Sequence, residues 1–298
     1  MGSRSWFLKW FMRRMLAGWN RLMIRWSTVS EVKTLNAKLI YHRKIDLAHP
    51  KKLNEKILWL EYNTDASLRS RLTDKYEVRA YVTEKGYGEC LVPLYGIYDS
   101  PDKVDLESLP EQFVLKATHG CDMNYICRKK EAMNIRDLRR RMKLWMKTNM
   151  AYVSLEMHYL SIPPRILCEK YIDSGEKNLT DYKVHCCDGK ARFLLVCSYG
   201  QGKRYLDVFD RKWNHLPVVV GAEQNPERPK RPEQLEGMCR MAEKLAEGIP
   251  FVRIDLYTVK NRVYFGEMTF TPATGILFHF TDAFLMEEGK YCKIVPTN

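Results

Sequence analysis

No apolar run in this chain approaches the roughly 20 residues that a membrane-spanning helix needs. The apolar stretch and small-residue cleavage site of a secretory leader are missing too. Neither a span nor a cleaved signal is therefore expected. No two of the nine cysteines stand at C-x-x-C spacing, and Cys186 and Cys187 are adjacent. An odd, scattered set excludes a disulfide framework and a zinc ribbon, and it points to reduced thiols in the cytosol. No Ser/His/Asp or Cys/His constellation suggests a covalent nucleophile. No internal repeat is present. No basic and aromatic stripe or reading module for nucleic acid is seen, so nucleic acid is not expected as a partner. Acidic residues are absent before Glu31.

That last absence meets a strong presence. The 298 residues carry a net charge of +13, and six of those excess charges (Arg4, Lys9, Arg13, Arg14, Arg21 and Arg25) fall in the first thirty residues. Residues 6–26 alternate at a helical period. On a helical wheel Lys9, Arg13, Arg14, Asn20, Arg21 and Arg25 share an arc of about 160°. Trp6, Phe7, Trp10, Met15, Leu22 and Trp26 are expected mainly on the other side. A basic, Trp-rich amphipathic helix fits an interfacial anchor on an anionic membrane surface. The alternative is a helix docked on the protein's own core or on a partner subunit. Met1-Gly2 with Arg4 and Trp6 is a poor match to the myristoylation pattern.

Hydrophobic content of 45% and charged content of 29% are those of a globular protein with one large domain or two to three small ones. The spacing predicts helices over 51–62, from Asp74 to about Gly86, over 134–147 and over 232–247. Asp74 and Glu77 form a capping-box-like start. Strands are predicted at 112–117 with a partner at 124–128, at 165–172, at 205–209, and as a hairpin over 181–198 turned at Asp188-Gly189. Helices mixed with hairpin-linked strands indicate an α+β fold.

Residues 251–272, FVRIDLYTVKNRVYFGEMTFTP, read as two strands joined at Lys260-Asn261. Val252, Ile254, Leu256, Met268 and Phe270 define a buried face. The other face carries Arg253, Asp255, Glu267 and Thr269. With the turn centred on Asn261, Asp255 falls opposite Glu267. Two carboxylates that close favour a hard cation such as Mg²⁺ between them, and the adjacent arginine suits a Mg²⁺–polyphosphate site. A solvated hairpin face with a cross-strand Arg/Glu pair is the competing reading of the hairpin alone. Lys116 ends the strand FVLK before a turn, THGCDMN, whose amides could meet phosphates. The segment ILCEKYI could present backbone groups to an adenine edge.

In this order and spacing KLNEKILWL, TDKYEVRAYV, LPEQFVLKATHG, ILCEKYI, DYKVHCCDGKARF and the 251–272 hairpin resemble the ATP-grasp fold. They are most similar to its TupA-like branch, which takes its name from teichuronopeptide biosynthesis in Gram-positive bacteria. The resemblance runs from about residue 51 to residue 275; the basic N-terminal helix lies outside it. It implies two α+β subdomains clasping ATP behind an N-terminal helical extension. The segments would be 1–50 for the extension, 51–110 for an N-terminal subdomain, 111–164 for a central lid subdomain and 165–298 for a C-terminal subdomain with the metal site.

The same resemblance implies roles. Lys116 would contact the α/β-phosphates, and the turn at His119-Gly120 would cover them. Glu169, Lys170 and Tyr171 would surround the adenine, and Asp181 would bind the ribose. Lys183 and Arg253 would face the phosphates or the transferred group. Asp255 and Glu267, with Thr269, would hold Mg²⁺. Two positions depart from the family pattern: Cys121-Asp122 replaces a Gly/Ser-rich lid turn, and Thr269 replaces an asparagine. The implied activity is ATP-dependent carboxylate–amine ligation through an acyl phosphate, joining an amino acid or amine donor to a uronic-acid-containing surface glycan. That acceptor, if lipid-linked, would place the protein at the inner face of the bacterial cell membrane. A kinase on the same fold, phosphorylating a sugar, is the runner-up, and a non-catalytic membrane-associated scaffold is the third reading.

Overall fold

The computed structural model describes residues 3–175 and 179–295; Met1 and Gly2, on which the myristoylation reading rests, lie outside them. Helices are α1 (Ser3–Met23), α2 (Val29–Tyr41), α3 (Leu53–Asn63), α4 (Ser67–Thr73), α5 (Val78–Glu84), α6 (Ile135–Met146), α7 (Met150–Ser154), α8 (Leu235–Leu245) and α9 (Asp282–Gly289). Strands are β1 (Leu94–Tyr98), β2 (Phe113–Ala117), β3 (Asn124–Cys127), β4 (Ile166–Lys170), β5 (Asp181–Cys187), β6 (Lys190–Gly200), β7 (Lys203–Asp210), β8 (His215–Leu216), β9 (Phe251–Val259) and β10 (Arg262–Thr269). The chain divides into two units. One comprises Met1–Val32, Asp65–Arg79 and Val92–Ile172; the other comprises Lys33–Thr64, Ala80–Leu91 and Asp173–Asn298. Among the described residues no helix is long and apolar enough to cross a membrane.

The first unit is built on an antiparallel sheet of order β1-β4-β2-β3. Phe113, Leu115 and Ala117 alternate into its core with Ile166 and Cys168. Leu138, Met142 and Trp145, at helical spacing on α6, close that core. Asn134 caps α6 by accepting from the Asp137 amide at 2.9 Å. The Asp74 expectation is corrected in one respect. Its carboxylate accepts from the Tyr76 and Glu77 amides as a cap does, but the Glu77 side chain pairs with Arg165 at 2.9 Å, so the reciprocal arm of a capping box is not made.

Helix α1 docks on this unit, and the arc it uses is the basic one. Trp6 and Ala17 pack against the core. Buried Asn20 donates to the carbonyls of Tyr152 at 2.9 Å and Val153 at 3.4 Å, groups left without helical partners at the end of α7. Arg141 covers the Trp6 ring at 5.3 Å and Arg21 covers Tyr152 at 4.3 Å. Trp6 and Trp10 thus lie within the basic arc, contrary to the expectation that tryptophans and cations would part. The rings and arginine stems supply the packing. Leu8, Phe11, Met12, Met15, Trp19 and Leu22 are left exposed on the other side.

The second unit holds an antiparallel sheet of order β10-β9-β5-β6-β7-β8. One face carries Val184, Cys186, Val252, Ile254 and Leu256, all buried, and α8 packs against β5, β6 and β9. The other face is covered over part of its length by α3 and α9, with Leu53, Ile57, Phe284 and Leu285 against Phe193, Leu195, Cys197 and Phe251. The predicted hairpin turns are present, with positive φ at Asp188 and Gly189 (51° and 74°) and at Lys260 and Asn261 (48° and 62°), as two-residue turns require. All nine cysteines are free, seven of them buried.

Candidate functional site

The part of the second unit's sheet face left clear of α3 and α9 gathers its charge. β9 runs between β5 and β10, and its register places Asp255 opposite Lys183 on one side and opposite Glu267 on the other. Arg253 stands opposite Thr269, and Asp181 opposite Tyr257. The turn alone does not produce the Asp255–Glu267 pairing. The ladder shifts between Phe265 and Glu267, with Gly266 as the extra residue. A Cβ at Gly266 would lie 2.9 Å from the Asp255 carbonyl oxygen, so the bulge has no space for a side chain.

The contacts are short and charge-assisted. Arg253 grips Asp255 with two bonds, Nε to Oδ1 at 2.6 Å and a terminal nitrogen to Oδ2 at 2.7 Å. Lys183 Nζ reaches the same Oδ2 at 2.5 Å. Arg253 also donates to Thr269 Oγ1 at 3.1 Å and approaches Glu267 Oε1 at 3.5 Å, and the Thr269 hydroxyl donates to Glu267 Oε1 at 3.1 Å. Burial is the largest influence on Lys183 and opposes its charged form, but Asp255, joined by Asp181 and Cys197, leaves its pKa raised. Arg253 is raised in the same way, against its burial, by Asp255 and then Glu267. Burial pushes the Asp181 carboxyl up, with Asp255 and Glu267 adding to the shift against the pull of Lys183. Behind this group His185 is fully buried and stacked on Phe193 with ring centroids 4.2 Å apart; burial, then Arg253, hold it neutral.

Among the described residues no group of three or more His, Cys, Asp or Glu side chains gathers to hold a metal by itself. The set here is two carboxylates and a hydroxyl, all hard oxygen donors, and Asp255 already gives both its oxygens to Arg253 and Lys183. Such a set fits a Mg²⁺ completed by phosphate oxygens and water. It does not fit an all-protein metal cage.

In the first unit Lys116 Nζ lies 2.6 Å from Glu169 Oε2, and Arg79 holds the other oxygen at 3.2 Å while donating to the Val92 carbonyl at 2.9 Å. Lys170 is exposed at the end of β4, and its amide donates to the Pro93 carbonyl at 2.9 Å. Tyr171 accepts from Arg128 Nε at 3.1 Å. His119 is buried with Nε2 3.0 Å from the Trp145 carbonyl, and burial lowers its pKa. Gly120 is closely packed by Met123 and Met150, and its carbonyl accepts from Lys75 at 2.9 Å. The exposed tip of that turn is Cys121-Asp122, where Asp122 pairs with Arg13 at 3.0 Å.

Sequence reasoning missed Arg79, the second cation on Glu169, although it lies within TDKYEVRAYV. It also missed Arg204 on β7, which donates to Cys197 Sγ at 3.2 Å and lies near enough to Asp181 to offset part of its burial. The alternation of β7 was the available signal, since it puts Arg204 on the face that carries Asp181.

A family model described as TupA-like ATPgrasp matches residues 55–293. Among curated proteins none matches the chain. Solved structures with a similar fold include D-alanine–D-alanine ligase from Helicobacter pylori, with 14% identity, a TM-score of 0.41 and coverage of 75% of this chain and 61% of that one. The ATP-grasp ligase PsnB in complex with a phosphomimetic variant of its minimal precursor, Mg and ADP shares 12% identity with a TM-score of 0.40, over 79% of this chain and 65% of that one. D-cycloserine synthetase DcsG shares 12% identity with a TM-score of 0.41, over 75% and 70%. The chain spans less than two thirds of the length of the Helicobacter pylori ligase and of PsnB.

Proposed function

Because this chain belongs to the TupA-like ATP-grasp family, we propose that it is an ATP-dependent carboxylate–amine ligase. The observation that carries the reading is the pairing of Asp255 with Glu267 beside Lys183 and Arg253 on one sheet face. In this proposal Asp255, Glu267 and Thr269 hold Mg²⁺, which would neutralise charge on the phosphate oxygens. Lys183 and Arg253 exchange Asp255 for the phosphates and orient the group being transferred. Lys116 and Arg79 share Glu169 as counter-ion, which keeps Lys116 extended toward the α/β-phosphates. Glu169, Lys170 and Tyr171 line the adenine, and Asp181 accepts from the ribose.

The substrate carboxylate oxygen would attack the γ-phosphorus, and ADP would leave. The amine nitrogen would then attack the acyl carbon, form the amide and release phosphate. No side-chain nucleophile is needed. We assign a uronic-acid glycan as acceptor and an amino acid or amine as donor. The exposed apolar side of α1 supports a place on an anionic membrane surface, where a lipid-linked glycan would be reached.

The test is ADP release with a panel of uronic-acid glycans and amino acids, followed by product mass. Free phosphate with an amide product supports the ligase. Phosphate retained on the sugar would instead establish the kinase, and no turnover with any pair would leave the scaffold reading standing.

A further inference from the structure

A pocket of ≈ 330 Å³ lies between α1 and the segment joining α6 to α7, within the first unit. Four cations line it: Arg13, Arg14, Arg21 and Lys147. Arg13 is satisfied by Asp122 and the Cys121 carbonyl. Among the described residues the other three have no acidic partner. Arg14 lies over the Trp10 ring at 5.6 Å and Arg21 over Tyr152 at 4.3 Å, which fixes both guanidinium groups without using up their donors. Fixed guanidinium forks beside a lysine are the arrangement that oxygen-rich phosphates select.

The rim of this pocket is continuous with the apolar side of α1. Phe11, Met15 and Leu22 stand about a quarter turn from Arg14 and Arg21 on the same helix. Gly18 lies between the two sets and lines the pocket, and a Cβ there would meet nothing within 4 Å. A mid-helix glycine is locally unfavourable, and no close contact demands this one. It leaves an open seam from the cations to the apolar ridge.

We propose that this pocket binds the phosphate headgroup of an anionic lipid, with the acyl chains leaving across Gly18 onto Phe11, Met15 and Leu22. The inference rests on the reading of α1 as membrane-facing and is independent of the ligase chemistry. It differs from a diffuse basic surface because it assigns the binding to particular cations. Lys9 and Arg25 are equally charged and exposed on the same segment but lie outside the pocket.

The experiment is vesicle co-sedimentation of the full chain with phosphatidylcholine alone and with added phosphatidic acid or phosphatidylglycerol, with folding checked by circular dichroism. The Arg14→Gln/Lys147→Gln pair should lower affinity for anionic vesicles at least tenfold, and Lys9→Gln/Arg25→Gln by less than threefold. Gly18→Leu, which adds apolar surface while blocking the seam, should also weaken anionic binding and leave neutral vesicles unaffected or better bound. Equal losses in the two charge pairs would overturn the headgroup site while leaving membrane contact intact. A wild-type chain that ignores every vesicle would remove the membrane reading and this site with it. If inorganic pyrophosphate or an RNA oligonucleotide binds in a manner sensitive to the pocket pair while vesicles do not, the cations serve a soluble ligand and the lipid assignment is wrong.

Discussion

Asp255 and Glu267 stand directly opposite each other across β9 and β10, and Gly266 is the residue that sets them there. The turn pairs Val259 with Arg262, and counting outward along an unbroken ladder would bring Asp255 to position 266. One inserted residue advances the register, so that Tyr264 still meets Tyr257 while Glu267 shares the face of Asp255. Gly266→Ala forces a Cβ against the Asp255 carbonyl. Its expected cost is about 1–3 kcal/mol, together with loss of Mg²⁺–ATP binding. Urea unfolding and calorimetric titration measure the two effects. Gly237→Ala in α8, where a Cβ meets nothing within 4 Å, should show neither.

The two carboxylates should fail differently. Glu267 is partly exposed, and Glu267→Gln should lower ATP turnover by roughly 100-fold or more with little change in thermal midpoint. Asp255 neutralises two buried cations. Asp255→Asn should abolish turnover and also destabilise, by about 3 kcal/mol. Steady-state ADP release and thermal melts separate the cases; near-wild-type turnover in both variants would remove the site assignment.

Lys116→Ala should weaken binding of a non-hydrolysable ATP analogue by about tenfold or more, the value of one charged hydrogen bond. Stability should change by less than about 1 kcal/mol, since Glu169 keeps Arg79 at 3.2 Å. Titration calorimetry beside urea unfolding gives both numbers.

Acid should loosen the second unit through His185. An unfolded-chain histidine titrates near about 6.5, and His185 in the fold lies well below that because it is buried. Above that range the group contributes nothing. As pH falls through it, the unfolded chain gains a proton that the folded chain refuses, so stability declines, at up to about 1.4 kcal/mol per pH unit. His185→Phe should flatten the fall in urea midpoint between pH 7.5 and pH 5. An unchanged slope would place the acid sensitivity elsewhere.

Asn20 ties α1 to α7. Asn20→Ala leaves the Tyr152 and Val153 carbonyls without that donor, and it should lower stability by about 1–3 kcal/mol. It should also speed proteolysis within residues 1–28. Resistance equal to wild type would show that Trp6 and Ala17 hold the helix unaided.

Much of this was readable from periodicity. The 251–272 hairpin, its apolar face and the Asp188-Gly189 turn follow from alternation and from turn residues that tolerate positive φ. The bulge at Gly266 was hidden, because a centre of symmetry at Asn261 yields the same Asp255–Glu267 pairing by a different route. The orientation of α1 was also hidden. At 100° per residue Trp6 and Trp10 already fall inside the arc of the cations, but a helical wheel cannot weigh an arginine stem on a tryptophan ring against an arginine in solvent. Interior placement of His119 and Gly120 depends on Met123, Met150 and Trp145, contacts that no local pattern encodes.

The buried thiols make each unit its own clock. Cys127 and Cys168 lie inside the first, and Cys186, Cys187, Cys197, Cys239 and Cys292 inside the second. Burial pushes Cys168 up to about 12 and Cys239 up to about 11, so neither offers thiolate to a reagent while its surroundings stay closed. Cys121 is exposed and needs no opening to be reached, although desolvation pushes its thiol up to about 11 as well. The slower uptake of a thiol label at the buried positions, read peptide by peptide, then counts how often each unit opens, with no cysteine added to the native chain.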